Sequence, residues 1–475
     1  MLPSSLMGVG RVFARLPVRA FVVITGFAIL QWGLLTYTPP RPAFAQSVGP
    51  PSIVLIVTDD QRFDSLRYMP AVERLRDGGM TLRQAIVSNP LCCPSRATIL
   101  TGRYSHTTGV YTNVSPFGSW TAFQASESNT IATALHDVGY RTALIGKYIN
   151  GYRGDDAYVP PGWDRWFAVL GASNYYNYSV LDSQRGRLTY GATPREYSTD
   201  VFRRQAVSFI RGVPPETPLF LVVTPFAPHA PFIAAPRHEG DLASAPVRLG
   251  PAVNEVDVSD KPIYIAKRGI RNAEWIRTRR RDQWESLLAV DDLVRKIMTT
   301  LEETDRADNA AVIFTSDNGF SNQEHRWGGK QVPYEESIRV PMIVSLPGQI
   351  PADTASGALV SNLDLAPTMA DFGGAALSAD GVSLRPLLTD SASSARGSIL
   401  LEHLDWIDQP VPTYCGVRTA AFTFVHYVTG EEELYDLFQD PYQLVNVASR
   451  RPRKATELRE LTESLCRPVP PGFSW

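Results

Sequence analysis

The stretch "SIVLIVTDDQR", Ser52 to Arg62, decides the fold. Ile53 to Val57 are all aliphatic, which predicts a short buried strand, and the run opens into an acidic turn at Asp59-Asp60. The same design returns in "AAVIFTSDNG", residues 310–319, where an apolar strand meets the polar turn Asp317-Asn318. Further strands are predicted in "RTALIGKY" (141–148), "PLFLVVTPFAPHAPF" (218–232) and "VPMIVSLPG" (340–348). Helices lie between them. One follows Pro70 and stops at Gly78-Gly79, another spans the residues after Asn129, and a third runs from Gln283 to Glu303. In the third, Leu287, Val290, Val294, Ile297, Met298 and Leu301 recur at helical spacing.

Strands alternating with helices predict an α/β fold, a large, mostly parallel sheet flanked by helices. Such sheets hold ligands beyond the carboxyl ends of their strands. Asp59-Asp60 and Asp317-Asn318 sit at two such ends, so they are expected to meet in space. The tail differs. "TFVHYVTGEEELYDLFQDP" (423–441) reads as an antiparallel hairpin, and "RKATELRELTESL" (453–465) as a closing amphipathic helix. Residues 46–384 are therefore assigned to a catalytic domain and residues 385–475 to a smaller C-terminal α+β subdomain with an antiparallel sheet.

The N-terminus reads as a targeting segment. Arg11, Arg15 and Arg19 precede the apolar run "AFVVITGFAILQWGLL", and Ala43-Phe44-Ala45 follows as a small-residue cleavage site. Residues 1–45 are expected to be a signal peptide, giving a secreted or periplasmic protein. An uncleaved anchor is the alternative. No later run is apolar enough to span a bilayer. The 46 basic and 48 acidic side chains nearly cancel, which argues against a nucleic-acid partner or a disordered acidic chain.

The chain has four cysteines. Export permits a disulfide between Cys415 and Cys466. Cys92 and Cys93 are adjacent and make poor partners for each other. Without a C-x-x-C or Cys/His cluster, structural zinc is not expected. The adjacent pair sits in "NPLCCPSRATILTG", residues 89–102. A cysteine-phosphatase loop would place an arginine six positions after the thiol, but those positions hold Thr98 and Ile99. A structural cysteine would normally sit within an apolar run, whereas Pro94-Ser95-Arg96 suits a helix start facing an anion. Asp59, Asp60, Asp317 and Asn318 offer only oxygen, the chemistry of a hard cation, Ca²⁺ or Mg²⁺.

"CCPSRATILTG" resembles the signature of the type I, formylglycine-dependent sulfatases: C-x-P-S-R, four residues, then Thr-Gly. Other landmarks follow in that family's order: "IVLIVTDDQR", "LIGKY", "APHAPF", "VIFTSDNG", "EHRWGGKQVPYEESIRVPMIV", "LDLAPTMADFGG" and "ELYDLFQDPYQLVN". Cys-Cys at the signature and "GKYIN" at the first lysine resemble the N-acetylglucosamine-6-sulfatase and heparan-sulfatase branch. The resemblance implies an alkaline-phosphatase-like fold and a sulfuric ester hydrolase acting on a sulfated small molecule or glycan. It implies that a formylglycine-generating enzyme oxidises Cys92 to an aldehyde. It favours Ca²⁺, bound by Asp59, Asp60, Asp317, Asn318 and residue 92. The hydrated aldehyde would attack sulfur through one hydroxyl and release sulfate through the other, with Asp317 as base. Lys147, His229 and Lys330 would contact sulfate, and His229 or Lys330 would serve the leaving oxygen. Arg96 would hold the diol and the metal carboxylates.

Several matches carry a second reading. His106 falls on a family position and is either structural or functional. His325 matches a histidine ahead of the second lysine and is expected to touch substrate. Many sulfatases carry a histidine two residues after the first lysine, whereas this chain has Ile149, which leaves Asn150 to supply a hydrogen bond. The basic run Arg277 to Ser286 reads as a solvated helix face, and Asp291 and Asp292 as capping or packing residues. "NYYNYS", 174–179, is open between sugar stacking and loop packing. Two rival functions use the same residues: phosphonate monoester or phosphodiester hydrolysis, and glycan binding by a protein whose cysteine is never converted. No stable membrane partner is expected.

Overall fold

The structure, a computed structural model, describes residues 49–172, 174–390, 396–406 and 410–475. The leader read from residues 1–45 lies outside the described residues. The aliphatic run of residues 53–57 becomes the middle of β1 (Ser52–Thr58). Its side chains alternate between two cores. Ile53, Leu55 and Val57 pack on one face of the sheet, and Val54 and Ile56 on the other. Covering both faces explains an unbroken apolar run where a half-exposed strand would alternate. Each buried aliphatic side chain contributes about 1.5–3 kcal/mol relative to exposure.

Along the chain the sheet continues with β2 (Met80–Ile86), β3 (Arg141–Gly146), β4 (Arg165–Val169), β5 (Tyr178–Asp182), β6 (Gly186–Tyr190), β7 (Leu219–Thr224) and β8 (Ala310–Ser316). After the short pair β9 (Ser321–Asn322) and β10 (Gly328–Gly329) come β11 (Met342–Ser345) and β12 (Thr354–Ser361). The order across the large sheet is β12-β2-β11-β8-β1-β7-β3-β4-β5-β6. Its centre, β8-β1-β7-β3-β4, is parallel, while β11 runs antiparallel to both neighbours and β4-β5-β6 form an antiparallel edge. Thr58 pairs with Ser316 and Gly146 with Thr224, so the carboxyl ends of these central strands align.

The long helix spans Ala273–Glu303, ten residues longer at its start than its apolar periodicity indicates. Its first turns carry arginines rather than core residues, and Asn272 caps them by accepting from the amides of Glu274 (2.8 Å) and Trp275 (3.2 Å). Arg280 in this segment is buried and paired with Glu324, which overturns a fully solvated reading of residues 277–286. Asp291 caps a second helix: its Oδ1 accepts from Ala71 N at 2.7 Å and Val72 N at 3.0 Å, at the start of Pro70–Asp77. In the aromatic stretch at 174–179, Tyr175 and Tyr178 are buried in the core, so both serve packing.

The tail forms an antiparallel four-stranded sheet, β13 (Ser398–His403), β14 (Tyr414–Thr419), β15 (Phe422–Tyr427) and β16 (Glu432–Asp436). The helix Pro452–Leu465 covers one face through Ala455 and Leu458. The other face joins the core of the large sheet through Ile399, Leu401, Tyr414, Val425 and Tyr427. Cys415 and Cys466 form a disulfide.

Replacing Asp291 by alanine strips two helix-start amides of their acceptor. We expect a loss of about 1–2 kcal/mol in stability by denaturant titration, with Asp291→Asn retaining most of it.

Candidate active site

Four neighbouring parallel strands deliver the site. β8 ends at Asp317-Asn318, β1 at Asp59-Asp60, β7 leads into the loop carrying His229, and β3 ends at Lys147. Their backbones are stitched at this edge: Asp317 N donates to Thr58 O (3.0 Å), Asp59 N to Ala227 O (3.3 Å) and Lys147 N to Thr224 O (3.0 Å). Gly146 makes the last contact possible, because a Cβ there would lie 2.3 Å from Thr224 O and its φ is +120°. Asp60 adopts a left-handed φ of 67°, which costs a non-glycine residue about 1–3 kcal/mol. The turn is held by Asp60 N donating to Asp317 Oδ1 (3.1 Å) and Gln61 N to Ser316 Oγ (2.9 Å).

The fifth contribution is the helix Cys92–Thr101, all of whose residues are buried. Cys92 faces the carboxylates: its Sγ lies 2.7 Å from Lys330 Nζ and 3.6 Å from Asp59 Oδ1. Cys93 turns into the hydrophobic core, where burial pushes its thiol up to about 12. One of the two adjacent cysteines is therefore a core residue, contrary to what Pro-Ser-Arg suggested, and the other faces the polar site. Arg96, one turn along, donates through Nε to Asp317 Oδ2 at 2.8 Å, sits 3.5 Å from Asp59 Oδ2, and holds Lys147 O at 3.0 Å.

Asp59, Asp60 and Asp317 are all essentially inaccessible to solvent. Lys147 Nζ stands 2.5 Å from Asp59 Oδ2, Lys330 Nζ 2.5 Å from Asp60 Oδ1, and His229 Nε2 3.6 Å from Asp60 Oδ2. Burial alone would raise the Asp59 carboxyl, but Lys147, His229, Arg96 and Lys330 hold it far below the usual range. Asp317 moves the other way: burial and the Asp59 charge outweigh Arg96 and Lys147 and raise it. Burial would lower His229, yet Asp60 and Asp59 raise it to about 9. The lysines are likewise raised against the effect of burial, Lys147 by Asp59 and Lys330 by Asp60.

The donor set fits a hard cation. Three carboxylates converge, and Asn318 Oδ1 is buried with no hydrogen-bond partner among the described residues while its Nδ2 donates to Asp60 Oδ1 (2.7 Å). Atoms of Asp59, Asp60, Cys92 and His229 lie within 4.8 Å of one another, so His229, expected as a sulfate contact, also borders the carboxylate pocket. Asp317 is tied beside this group by Arg96 and by the amides of Asp60 and Asn318.

Two expected substrate contacts have partners or surroundings of their own. His325 is fully buried, donates or accepts at 2.6 Å with Glu255, and packs 4.0 Å from the Tyr334 ring. Asn150 lines a groove of about 650 Å³ with Asn113, Ser119, Trp120 and Arg153, where Asn113 meets the start of the signature helix by accepting from Cys93 N. His106 pairs with Glu402 at 3.0 Å, a structural contact to β13. Sequence reasoning missed Ser95, whose hydroxyl donates to Asp317 O and accepts from Asn362 Nδ2 (3.0 Å), and Asn113, whose Oδ1 accepts from Cys93 N (2.9 Å). Ser95 stood inside the signature and had a signal to follow. Asn113 had none.

The family model described as Sulfatase matches residues 51–375, and that described as N-sulphoglucosamine sulphohydrolase, C-terminal, matches 323–467. The chain is 32% identical to N-acetylglucosamine-6-sulfatase of Homo sapiens over 451 residues, 84% of this chain and 81% of that protein. A solved protein in complex with its substrate D-glucosamine-2-N,6-O-disulfate superposes with a TM-score of 0.77 at 24% identity, covering 88% of this chain and 98% of that one. The phosphonate monoester hydrolase of Agrobacterium radiobacter shares the fold at a TM-score of 0.70 and 20% identity, covering 87% and 95%.

Burial lowers the His106 imidazole, but the hydrogen bond and charge of Glu402 outweigh it and raise it. A raised histidine stabilises the fold fully below its unfolded pKa, about 6.5, and loses that contribution as pH rises through the folded value. Thermal stability should therefore fall on going from about pH 6 to pH 8, and His106→Gln should flatten that slope.

Proposed function

This chain belongs to the sulfatase family and is a sulfuric ester hydrolase, and on that footing we propose that it is an exported enzyme cleaving sulfate monoesters of sulfated, glucosamine-containing carbohydrates. Formylglycine made from Cys92 is its nucleophile, and Ca²⁺ is its resident cation. One observation carries the reading: the Cys92 side chain lies between Lys330 Nζ (2.7 Å) and Asp59 Oδ1 (3.6 Å), beside a buried carboxylate set with a free amide oxygen on Asn318.

A hydrated aldehyde at residue 92 supplies two hydroxyls on one carbon, one to attack sulfur and one to collapse and release sulfate. Asp59, Asp60, Asp317 and Asn318 would hold the cation, which would supply positive charge for the sulfate and for the hydroxyl at residue 92. The chain's own residues do the rest. Asp317 accepts the proton of the attacking hydroxyl, and Arg96 keeps that carboxylate aimed. Lys147 and Lys330 place ammonium groups against the sulfate oxygens as charge shifts toward the leaving alcohol. His229, held by Nδ1 at 2.8 Å from Ala230 O, presents Nε2 to protonate that alcohol.

Export is supported by the leader pattern ending at Ala45 and by the Cys415–Cys466 bridge, which suits an oxidising compartment. Among the described residues no helix is long and apolar enough to cross a membrane. Maturation calls for a formylglycine-generating enzyme, since thiol must become aldehyde. The similarity to a human glucosamine sulfatase supports the sugar class. The shared fold with a phosphonate monoester hydrolase keeps that ester as the control substrate.

Peptide mass spectrometry across Cys92 in protein from the native host should find the aldehyde. Cys92→Ala should lose about 1,000-fold or more of 4-nitrophenyl sulfate turnover. Chelation should abolish activity, and Ca²⁺ should restore it better than Mg²⁺. An unmodified thiol in active enzyme, or faster turnover of a phenyl phosphonate ester than of the sulfate, overturns the reading.

A further inference from the structure

The first turns of the long helix carry four arginines, Arg277, Arg279, Arg280 and Arg281. Three are neutralised: Arg277 and Arg281 by Glu274, Arg280 by Glu324. Arg279 has no carboxylate partner among the described residues, and neither do Arg268 and Arg271, which precede the helix. These three guanidiniums gather around one cavity of about 170 Å³, whose wall also includes Trp275, Asn322 and Gln323. A protein with a net charge of −2 has leftover acids to spend on salt bridges, yet this cleft keeps three cations unpaired.

The arginines are held in place by rings. Arg279 lies 4.6 Å from the Phe232 centroid and 5.2 Å from those of Phe320 and Trp275. Arg268 lies 3.9 Å over Trp327 and donates to Tyr264 O at 3.2 Å. Stacking leaves the guanidinium edges free to bind an oxyanion in bidentate fashion. Trp275 is 46% exposed, an aromatic face at the mouth of the cleft. Among the described residues Asn322 Oδ1 and Gln323 Oε1 are buried without hydrogen-bond partners, two acceptors at the wall of the cleft.

The cleft borders the reacting centre. Phe232 follows His229 in the same loop, its amide donating to His229 O at 3.2 Å. Phe320 follows Asn318, and the β9–β10 hairpin that carries Asn322 and Gln323 leads into Lys330.

We propose that the cleft of Arg268, Arg271, Arg279 and Trp275 is a specificity subsite for a second anionic group, sulfate or carboxylate, on the glycan whose ester reacts at residue 92. This rests on the sulfatase reading above. The cavity is small beside the roughly 300–1,000 Å³ of pockets that enclose a whole ligand, so it takes one charged group and the edge of a ring. Substrates with two anions are then preferred over those with one.

The test uses the full mature enzyme, its Arg271→Ala and Arg279→Gln variants, and four substrates: 4-nitrophenyl sulfate, glucosamine 6-sulfate, glucosamine 2-N,6-O-disulfate and a uronate-linked glucosamine 6-sulfate disaccharide. The ratio of kcat/KM for a dianionic substrate to that for glucosamine 6-sulfate should fall about tenfold in each variant, the loss of one charge-assisted hydrogen bond, and the change should sit in KM. A fall on the disulfate identifies sulfate as the second anion, and a fall on the disaccharide identifies carboxylate. Ratios unmoved on both, with sulfate turnover intact, overturn the cleft alone. No turnover of any sulfate ester by the wild type defeats the sulfatase reading, and the cleft with it.

Discussion

The structure depends on a balance of buried charge. Asp59, Asp60 and Asp317 are withdrawn from water at the end of one sheet, Arg96 and Lys147 are withdrawn with them, and the half-buried Lys330 closes over Asp60. Desolvating a single carboxylate costs several kcal/mol, so each of these acids is tolerable only beside its cation. The arrangement also explains why the carboxyls behave so differently. Asp59 has four positive neighbours and stays ionised, whereas Asp317 feels its fellow acids and is raised.

The backbone bears the cost of this assembly. Asp60 accepts a left-handed conformation, Gly146 allows β3 to end against β7, and Gly319 lies so close to Glu336 O that a Cβ would meet it at 2.2 Å. The helix Cys92–Thr101 is fixed by the burial of Cys93 and by Asn113 at its first turn, and this presents Cys92 to Lys330. One cysteine anchors the helix in the core and the other faces Lys330 and Asp59. The arginine cleft extends the same economy outward. Its cations stand on aromatic faces rather than on acids, which leaves their charge available to a ligand.

Much of this was legible before any coordinates. The run at 53–57, the polar turns at 59–60 and 317–318 and the cysteine signature marked the central strands and most of the side chains that meet there. The tail hairpin and final helix were likewise visible from period and turn residues. The antiparallel edge β4-β5-β6 was not, because its strands are short and its aromatic residues read equally well as a loop. Nor was β11's reversed direction, since an apolar run looks the same in either orientation. Arg280 was misread because its partner, Glu324, is remote in sequence, and a charge pattern along one helix shows only partners on that helix.

The sequence by itself determined which chemistries are present. Apolar runs dictate strands buried on both faces, the paired acidic turns bring carboxylates to the ends of those strands, and the signature places two cysteines at the start of a helix. Only the tertiary structure decided how they are used. It turned Cys92 toward the carboxylates and Cys93 into the core, drew His229 beside Asp60, set His106 to bind β13, and left three arginines without acid partners among the described residues. The physical reason is that burial and pairing depend on neighbours brought together by sheet register, and register is a property of the folded chain rather than of any segment.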